Sequence, residues 1–367
     1  MKLALIGQQI APLLPSMLAD LLQAGKQRAD IWIEEKNSAM ADLLQGYGEQ
    51  CLLHASLGGS IQADGRRENV LRDADLVIYA GDLMASSRFQ QDREALSGAE
   101  GDEEGLLDQA RVNGGIGGLM HTLRQGAAIQ PLADAMRELC PSATVISLGE
   151  PVGRTTEMFE LLGLRAYGLG RSVLRGPTGV DGICQKLGLG LEDVTWQAAG
   201  LPGFTFLTDL RSRKDGGSLM SEVYALAADG VLGRLIQRWY RELGAVGVGR
   251  VTDIAESMRA QEDYIPDERP DFGESVERRK DRILNMNKVR EKGLSDSEGM
   301  ISQLLLLSRT PPLRPVQLAL ALLRHEDLEM PEVTRRNAGA ILSLSPTAYV
   351  SSPIRLEKGE ARRNDLI

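Results

Sequence analysis

The opening strand–helix–strand stretch constrains the fold of this chain more than any other feature. Lys2-Leu3-Ala4-Leu5-Ile6 is a short, continuously apolar run that Gly7 stops. A run without alternation is expected of a strand buried on both faces, as in a parallel sheet covered by helices. From Pro12 to Leu22 the apolar residues are spaced by three and four, which predicts a helix. Asp30-Ile31-Trp32-Ile33-Glu34-Glu35 then reads as a second strand ending in acids, about 27 residues beyond Gly7. A glycine turn between strand and helix, with an acid at the end of the next strand, is the arrangement that holds dinucleotides.

The alternation continues. Ser60 to Asp64 is a third expected strand, and Ala74 to Gly81 a strong one after Asn69 to Arg72. Gly117 to Cys140 reads as a long helix interrupted near Gly126, and Thr144 to Leu148 as another strand. Strands alternating with helices require right-handed crossovers and predict an α/β, doubly wound parallel sheet over residues 1–170. Beyond residue 170 helical stretches dominate: Leu219 to Gly230, Val231 to Gly244, Met300 to Leu307 and, after the Pro311–Pro315 break, Val316 to Arg324. The charged segment from Arg259 to Glu298 reads as exposed helix plus loop, and Asn337 to Val350 as a strand-bearing return. The expected organisation is a Rossmann-like domain over 1–170 and a mixed α+β domain over 171–367. The second would complete a cleft and supply a subunit interface.

Charge narrows the partners. The net charge of -9 and pI near 5.1 disfavour a phosphate backbone, so nucleic acid is not expected. No apolar run approaches the ~20 residues of a membrane span, and the N-terminus lacks the form of a signal peptide. Cys51, Cys140 and Cys184 are odd in number and widely spaced, which fits buried thiols in a reducing cytoplasm.

Several segments carry a family likeness. Ala63-Asp64-Gly65-Arg66-Arg67-Glu68 precedes the strand Ala74-Asp75-Leu76-Val77-Ile78, and Ser87-Arg88-Phe89-Gln90-Gln91-Asp92-Arg93-Glu94 follows it. Gln109 through Arg124 contains Gly114-Gly115-Ile116-Gly117-Gly118, and Leu139-Cys140-Pro141 leads through Glu150-Pro151 to Glu157. Ala198-Ala199-Gly200-Leu201-Pro202-Gly203-Phe204 and Asn337-Ala338-Gly339-Ala340-Ile341 complete the series. In order and spacing these resemble glycoside hydrolase family 4, the NAD- and divalent-metal-dependent glycosidases. The resemblance implies a fold like that of lactate and malate dehydrogenases. It also implies a reaction in which NAD takes a hydride from the sugar, a tyrosine removes the adjacent proton and a metal stabilises the enolate.

The chemical residues of that reaction are altered here. The family's cysteine in Gly-Leu-Cys-His falls at Gly170, followed by Arg171, and its histidine in Gly-Leu-Asn-His falls at Gly203. Neither glycine can donate to a metal, and Arg171 would favour an anion instead. His54, His121 and His325 lie outside these motifs and have no ligand spacing. No metal is therefore expected. The cofactor turn reads Gly7-Gln8-Gln9-Ile10, retaining one glycine beside bulky residues. NAD binding is expected to be weakened, with Gly7, Gln8 and Gly81 at the cofactor position and Glu34 or Glu35 facing ribose or solvent. In the base-bearing helix the leading tyrosine is Ile236, and Tyr240 matches the last. Glu150 replaces the substrate-binding asparagine of the family; it is either an ion-pair partner of Arg88, Arg154 or Arg171, or a new acid or base.

Three readings follow. One is a diverged relative whose glycosidase activity is lost or altered and which binds a sugar, sugar phosphate or small anion through Arg88, Glu150 and Arg171. Another is an NAD-dependent glycosidase or oxidoreductase working without metal, with Tyr240 and Glu150 as catalytic candidates. The third is a structural or regulatory homo-oligomer, a dimer or tetramer.

Overall fold

The computed structural model describes residues 1–25, 28–81, 91–92, 94–95, 115–170, 173–174, 176–249, 276–294, 299–308 and 313–362. Its first half runs β1 (Lys2–Ile6), α1 (Ile10–Gln23), β2 (Ala29–Glu34), α2 (Ser38–His54), β3 (Gly59–Asp64), α3 (Arg67–Leu71) and β4 (Leu76–Tyr79). After these come α4 (Gly115–Leu139), β5 (Thr144–Ser147), α5 (Val152–Leu161) and β6 (Arg165–Gly168). The second half contains α6 (Val180–Lys186), β7 (Val194–Leu201), β8 (Phe204–Ser212), α7 (Met220–Ala228), α8 (Arg234–Leu243) and β9 (Val246–Val248). It closes with α9 (Val276–Lys292), α10 (Met300–Ser308), α11 (Pro315–Arg324), β10 (Leu328–Arg336), β11 (Tyr349–Glu357) and β12 (Glu360–Arg362).

The strands form one sheet in the order β3-β2-β1-β4-β5-β6-β10-β11-β7-β8-β9, with β12 on β11. The first six are parallel, in the order of a doubly wound dinucleotide fold. From β10 onward the pairing is antiparallel. The apolar run of β1 explains itself in this setting. Leu3 and Leu5 face a core layer that includes Leu14 and Leu18 of α1 and Leu44 of α2. Ala4 and Ile6 face the opposite layer, with Val70 of α3, Ile129 and Leu132 of α4 and Phe159 of α5. At ~25 cal/mol per Å2 of apolar surface removed from water, a strand buried on both faces counts twice towards stability. Cys51, Cys140 and Cys184 are free and buried. Burial pushes the first thiol up to about 12 and the other two to about 11, so none carries a reactive thiolate.

Three sequence expectations need correction. The α4 helix continues through Gly126 without a break, because Gln125, Ile129, Leu132 and Met136 bury one continuous face and tertiary packing overrides a weak helix former. The second half holds the expected helices but sets them against β7 to β12, strands that its sequence pattern does not announce. Between Asn337 and Val350 the chain is mostly turns, and the strand begins at Tyr349. Asn337 organises that loop. Its Nδ2 donates to the carbonyls of Ile341, Leu344 and Ser345, and its Oδ1 accepts from the Ile341 amide. The Arg259–Glu298 expectation lies outside the described residues except for 276–294, where α9 exposes most residues but buries Arg282 and Met286.

Candidate functional site

The C-terminal ends of β1, β4 and β5 meet through glycines. Gly7 has φ +121°, and a Cβ there would lie 2.5 Å from the Ala80 carbonyl carbon and 2.6 Å from the Gly81 nitrogen. A Cβ on Gly149 would lie 3.3 Å from the Gly81 oxygen and 2.9 Å from the Tyr79 ring. Tyr79 turns back over Gly81 and stands edge-on to Phe159 at 5.2 Å. The crevice floor is thus closely packed backbone, which only residues without side chains permit.

The α1 amides are largely engaged. Gln9 N–H donates to Ala80 O at 2.9 Å, Ile10 N–H lies 3.2 Å from Gly7 O, and Pro12 has no N–H. A helix N-terminus binds a diphosphate through free amides, so this one fits it poorly. Glu34, at the end of β2, sits where a ribose-binding acid belongs, but Arg67 holds it at 3.0 Å. Its Glu35 neighbour accepts the Asn37 amide at 2.9 Å. Gln8 sits at the turn between β1 and α1.

A second group of segments converges around Glu150. It follows Gly149 at the end of β5, and its peptide bond to Pro151, at the start of α5, is cis. Gly170 lies just past β6, which pairs with β5 through Ser147 and Gly168. Pro202 and Gly203 form the two-residue turn between β7 and β8, where Leu201 pairs with Phe204. Proline followed by glycine at φ +83° is the signature of a type II turn. Pro202 packs on α5, 2.9 Å from where a Gly153 Cβ would stand. The structure therefore brings Glu150 and the β7–β8 turn to one end of the sheet, beside the glycine floor. Neither Gly170 nor Gly203 supplies a side-chain donor, and no group of three or more His, Cys, Asp or Glu residues among those described is placed to hold a metal ion.

Tyr240 on α8 stacks against Tyr224 of α7, with centroids 5.4 Å apart and ring planes at 22°. Its neighbour Arg238 bonds Glu242 at 3.0 Å. Arg88 and Arg171 lie outside the described residues. Arg154, in the first turn of α5, donates to Gly118 O at 3.3 Å, and Arg124 holds Asp92 in a two-point ion pair at 2.6 Å.

Two features escape the sequence reading. The first is Glu332 on β10, buried without a cation among the described residues. Burial pushes its carboxyl up to about 7, and the Glu150 charge adds to the effect, against the hydrogen bonds from Ser351 and Thr334. Thr334 pairs in register with Gly168 and with Ser351, and Ser351 with Gly200, so the Glu332 cluster lies between the two glycine motifs. A lone glutamate among charged neighbours in sequence carries no signal for this position. The second is the pair His121 and Gln125 on the inner face of α4; a spacing of four along a helix was their one available signal.

Residues 27–173 match the family model for Family 4 glycosyl hydrolase. Over that segment the chain is similar to the family 4 glycosyl hydrolases. An alpha-glucosidase of Erwinia rhapontici is 24% identical over 231 residues, covering 62% of this chain and 49% of that protein. The chain thus spans about half the length of the curated protein it matches. A 6-phospho-alpha-glucosidase from gut microorganisms, solved with NAD and glucose-6-phosphate, superposes with a TM-score of 0.70 at 14% identity, covering 99% of this chain and 83% of the other. The 6-phospho-beta glucosidase of Thermotoga maritima, solved with NAD and glucose-6-phosphate, gives 0.67 at 16% identity with the same coverage. At these identities the likeness establishes the Rossmann-like α/β fold. No helix among the described residues is long and apolar enough to cross a membrane.

Proposed function

We propose that this family 4 relative serves carbohydrate metabolism in the cytoplasm as a diverged member whose metal-dependent glycosidase chemistry is lost or altered. It binds a sugar, a sugar phosphate or another small anion, with Arg88, Glu150 and Arg171 as the binding residues. The observation that carries this reading is the β7–β8 turn. A type II Pro202-Gly203 hairpin packed on Gly153 stands where the family motif has an asparagine and a histidine. The engaged Gln9 amide and the Arg67-paired Glu34 support weakened NAD binding. Self-association is part of the reading, supported by the exposed apolar stripe Ile116, Leu119, Met120 and Leu123 on α4.

Thermal unfolding with glucose, glucose 6-phosphate and NAD tests it. A ligand at 100 times its dissociation constant adds about 2.7 kcal/mol, so sugar or sugar phosphate should raise the melting temperature while millimolar NAD alone does little. A large rise with NAD and none with either sugar would reject the reading.

A further inference from the structure

β4 ends at Tyr79, which pairs in register with Ile6 of β1 on one side and Ser147 of β5 on the other. The strand order reverses between β1 and β4. A doubly wound sheet takes a dinucleotide outside the strand ends at that reversal, one nucleotide on each half of the sheet. Tyr79 is thus the last strand residue below the crevice. Around it stand Gly7, Ala80, Gly81 and Gly149, none with more than a methyl group.

Small residues at such a place let a ligand approach the backbone. Here a side chain of the protein takes that space. A Cβ on Gly81 would collide with the Tyr79 hydroxyl and lie 3.0 Å from ring atom Cε2. A Cβ on Gly149 would lie 2.9 Å from Cε1, on the opposite edge of the same ring. The ring is therefore wedged between the ends of β4 and β5. Phe159 of α5 holds it edge-on at 5.2 Å, and Tyr79 is only 5% exposed. The glycines that would open the crevice to a ligand seat this ring instead. A nucleotide that needs the Gly81 and Gly149 backbone has to displace it and give up its apolar burial.

We propose that Tyr79 is an autoinhibitory occupant of the dinucleotide crevice, closing the half over β4 and β5 and leaving the half over β1 and β2 untouched. The inference rests on the weakened NAD binding of the proposed function. It adds to the Gln9 turn and the Glu34–Arg67 pair a third obstacle, on the other side of the crevice. A site that is open for only a fraction of the time loses apparent affinity by that fraction, so the plug lowers NAD affinity without abolishing it.

Calorimetric titration of the full chain with NAD and with AMP tests the plug without any activity. AMP needs only one half of the crevice, so wild type should bind NAD no more tightly than AMP. Tyr79→Ser removes the ring and should bind NAD about tenfold more tightly than wild type or better, with AMP affinity unchanged. Tyr79→Phe keeps the ring and should match wild type for both nucleotides. Unchanged NAD affinity in Tyr79→Ser, or an equal gain for AMP, would overturn the plug and leave the weakened-binding reading standing. Wild-type chain that binds NAD at micromolar concentrations and far more tightly than AMP would overturn both. That comparison needs no variant, so it decides even where the serine chain fails to fold.

Discussion

The amide of Gln9 donates to the carbonyl of Ala80 at 2.9 Å, tying the β1–α1 turn to the end of β4. That bond spends a helix N-terminal donor on the fold itself. It depends on Gly7, whose backbone no side chain can share. Gly7→Ala should destabilise the protein by about 3 kcal/mol, combining a strained positive φ with a backbone clash. Denaturant unfolding measures it; a loss below 1 kcal/mol would mean the turn relaxes freely.

Arg67→Ala isolates the second obstacle to a dinucleotide. Arg67 is about one-third exposed and Glu34 mostly buried, so the loss should be about 1–2 kcal/mol, between exposed and buried pairs. The freed Glu34 can then meet ribose hydroxyls. The rise in melting temperature with NAD should be larger in the variant than in the wild type. An equal or smaller rise would show that Glu34 does not control the site.

Glu332 makes stability depend on pH. Its folded pKa of about 7 exceeds its unfolded value. The folded state therefore holds the proton more tightly, and the associated stability, complete below the unfolded value near 4.5, disappears as pH rises through 7. Glu332→Gln keeps the shape without the charge. It should melt higher than wild type at pH 8 and show a smaller drop between pH 6 and pH 8. An unaltered drop would mean the carboxyl is solvated.

Asp20 obeys the same sign from a different place. Its Oδ2 accepts the Val316 and Gln317 amides at 2.6 and 3.1 Å and so caps α11. Burial pushes it up to about 7 despite those bonds and the Arg314 charge. Asp20→Asn retains one acceptor oxygen and should raise stability at pH 8 relative to wild type. Asp20→Ala loses the cap and should cost about 1 kcal/mol or more at pH 5. Guanidinium titrations at the two pH values separate these effects.

The parallel half of the fold was legible because its strands are buried on both faces and write continuous apolar runs such as Lys2–Ile6. The antiparallel half was harder. β7 reads Val-Thr-Trp-Gln-Ala-Ala-Gly-Leu and β10 contains Pro331, so neither shows clean alternation. Pro202-Gly203 lacks the donor atoms of the family motif, and its turn chemistry also marks a hairpin. Glu150 was found through a motif, whereas Glu332 is recruited from β10 across the sheet. His121 and Gln125 look like ordinary helix residues, yet Gln125 Nε2 donates to the Glu150 carbonyl at 2.7 Å. Contacts made across long sequence separations leave no local trace.

Calorimetric titration of the full chain with Mn2+, with and without NAD and glucose 6-phosphate, tests the central claim most directly. A scaffold that has exchanged its donor atoms at Gly170 and Gly203 predicts no saturable, stoichiometric metal binding at micromolar concentrations in any of these mixtures. One tightly bound ion per chain, accompanied by Mn2+-dependent cleavage of an aryl 6-phosphoglucoside, would contradict it.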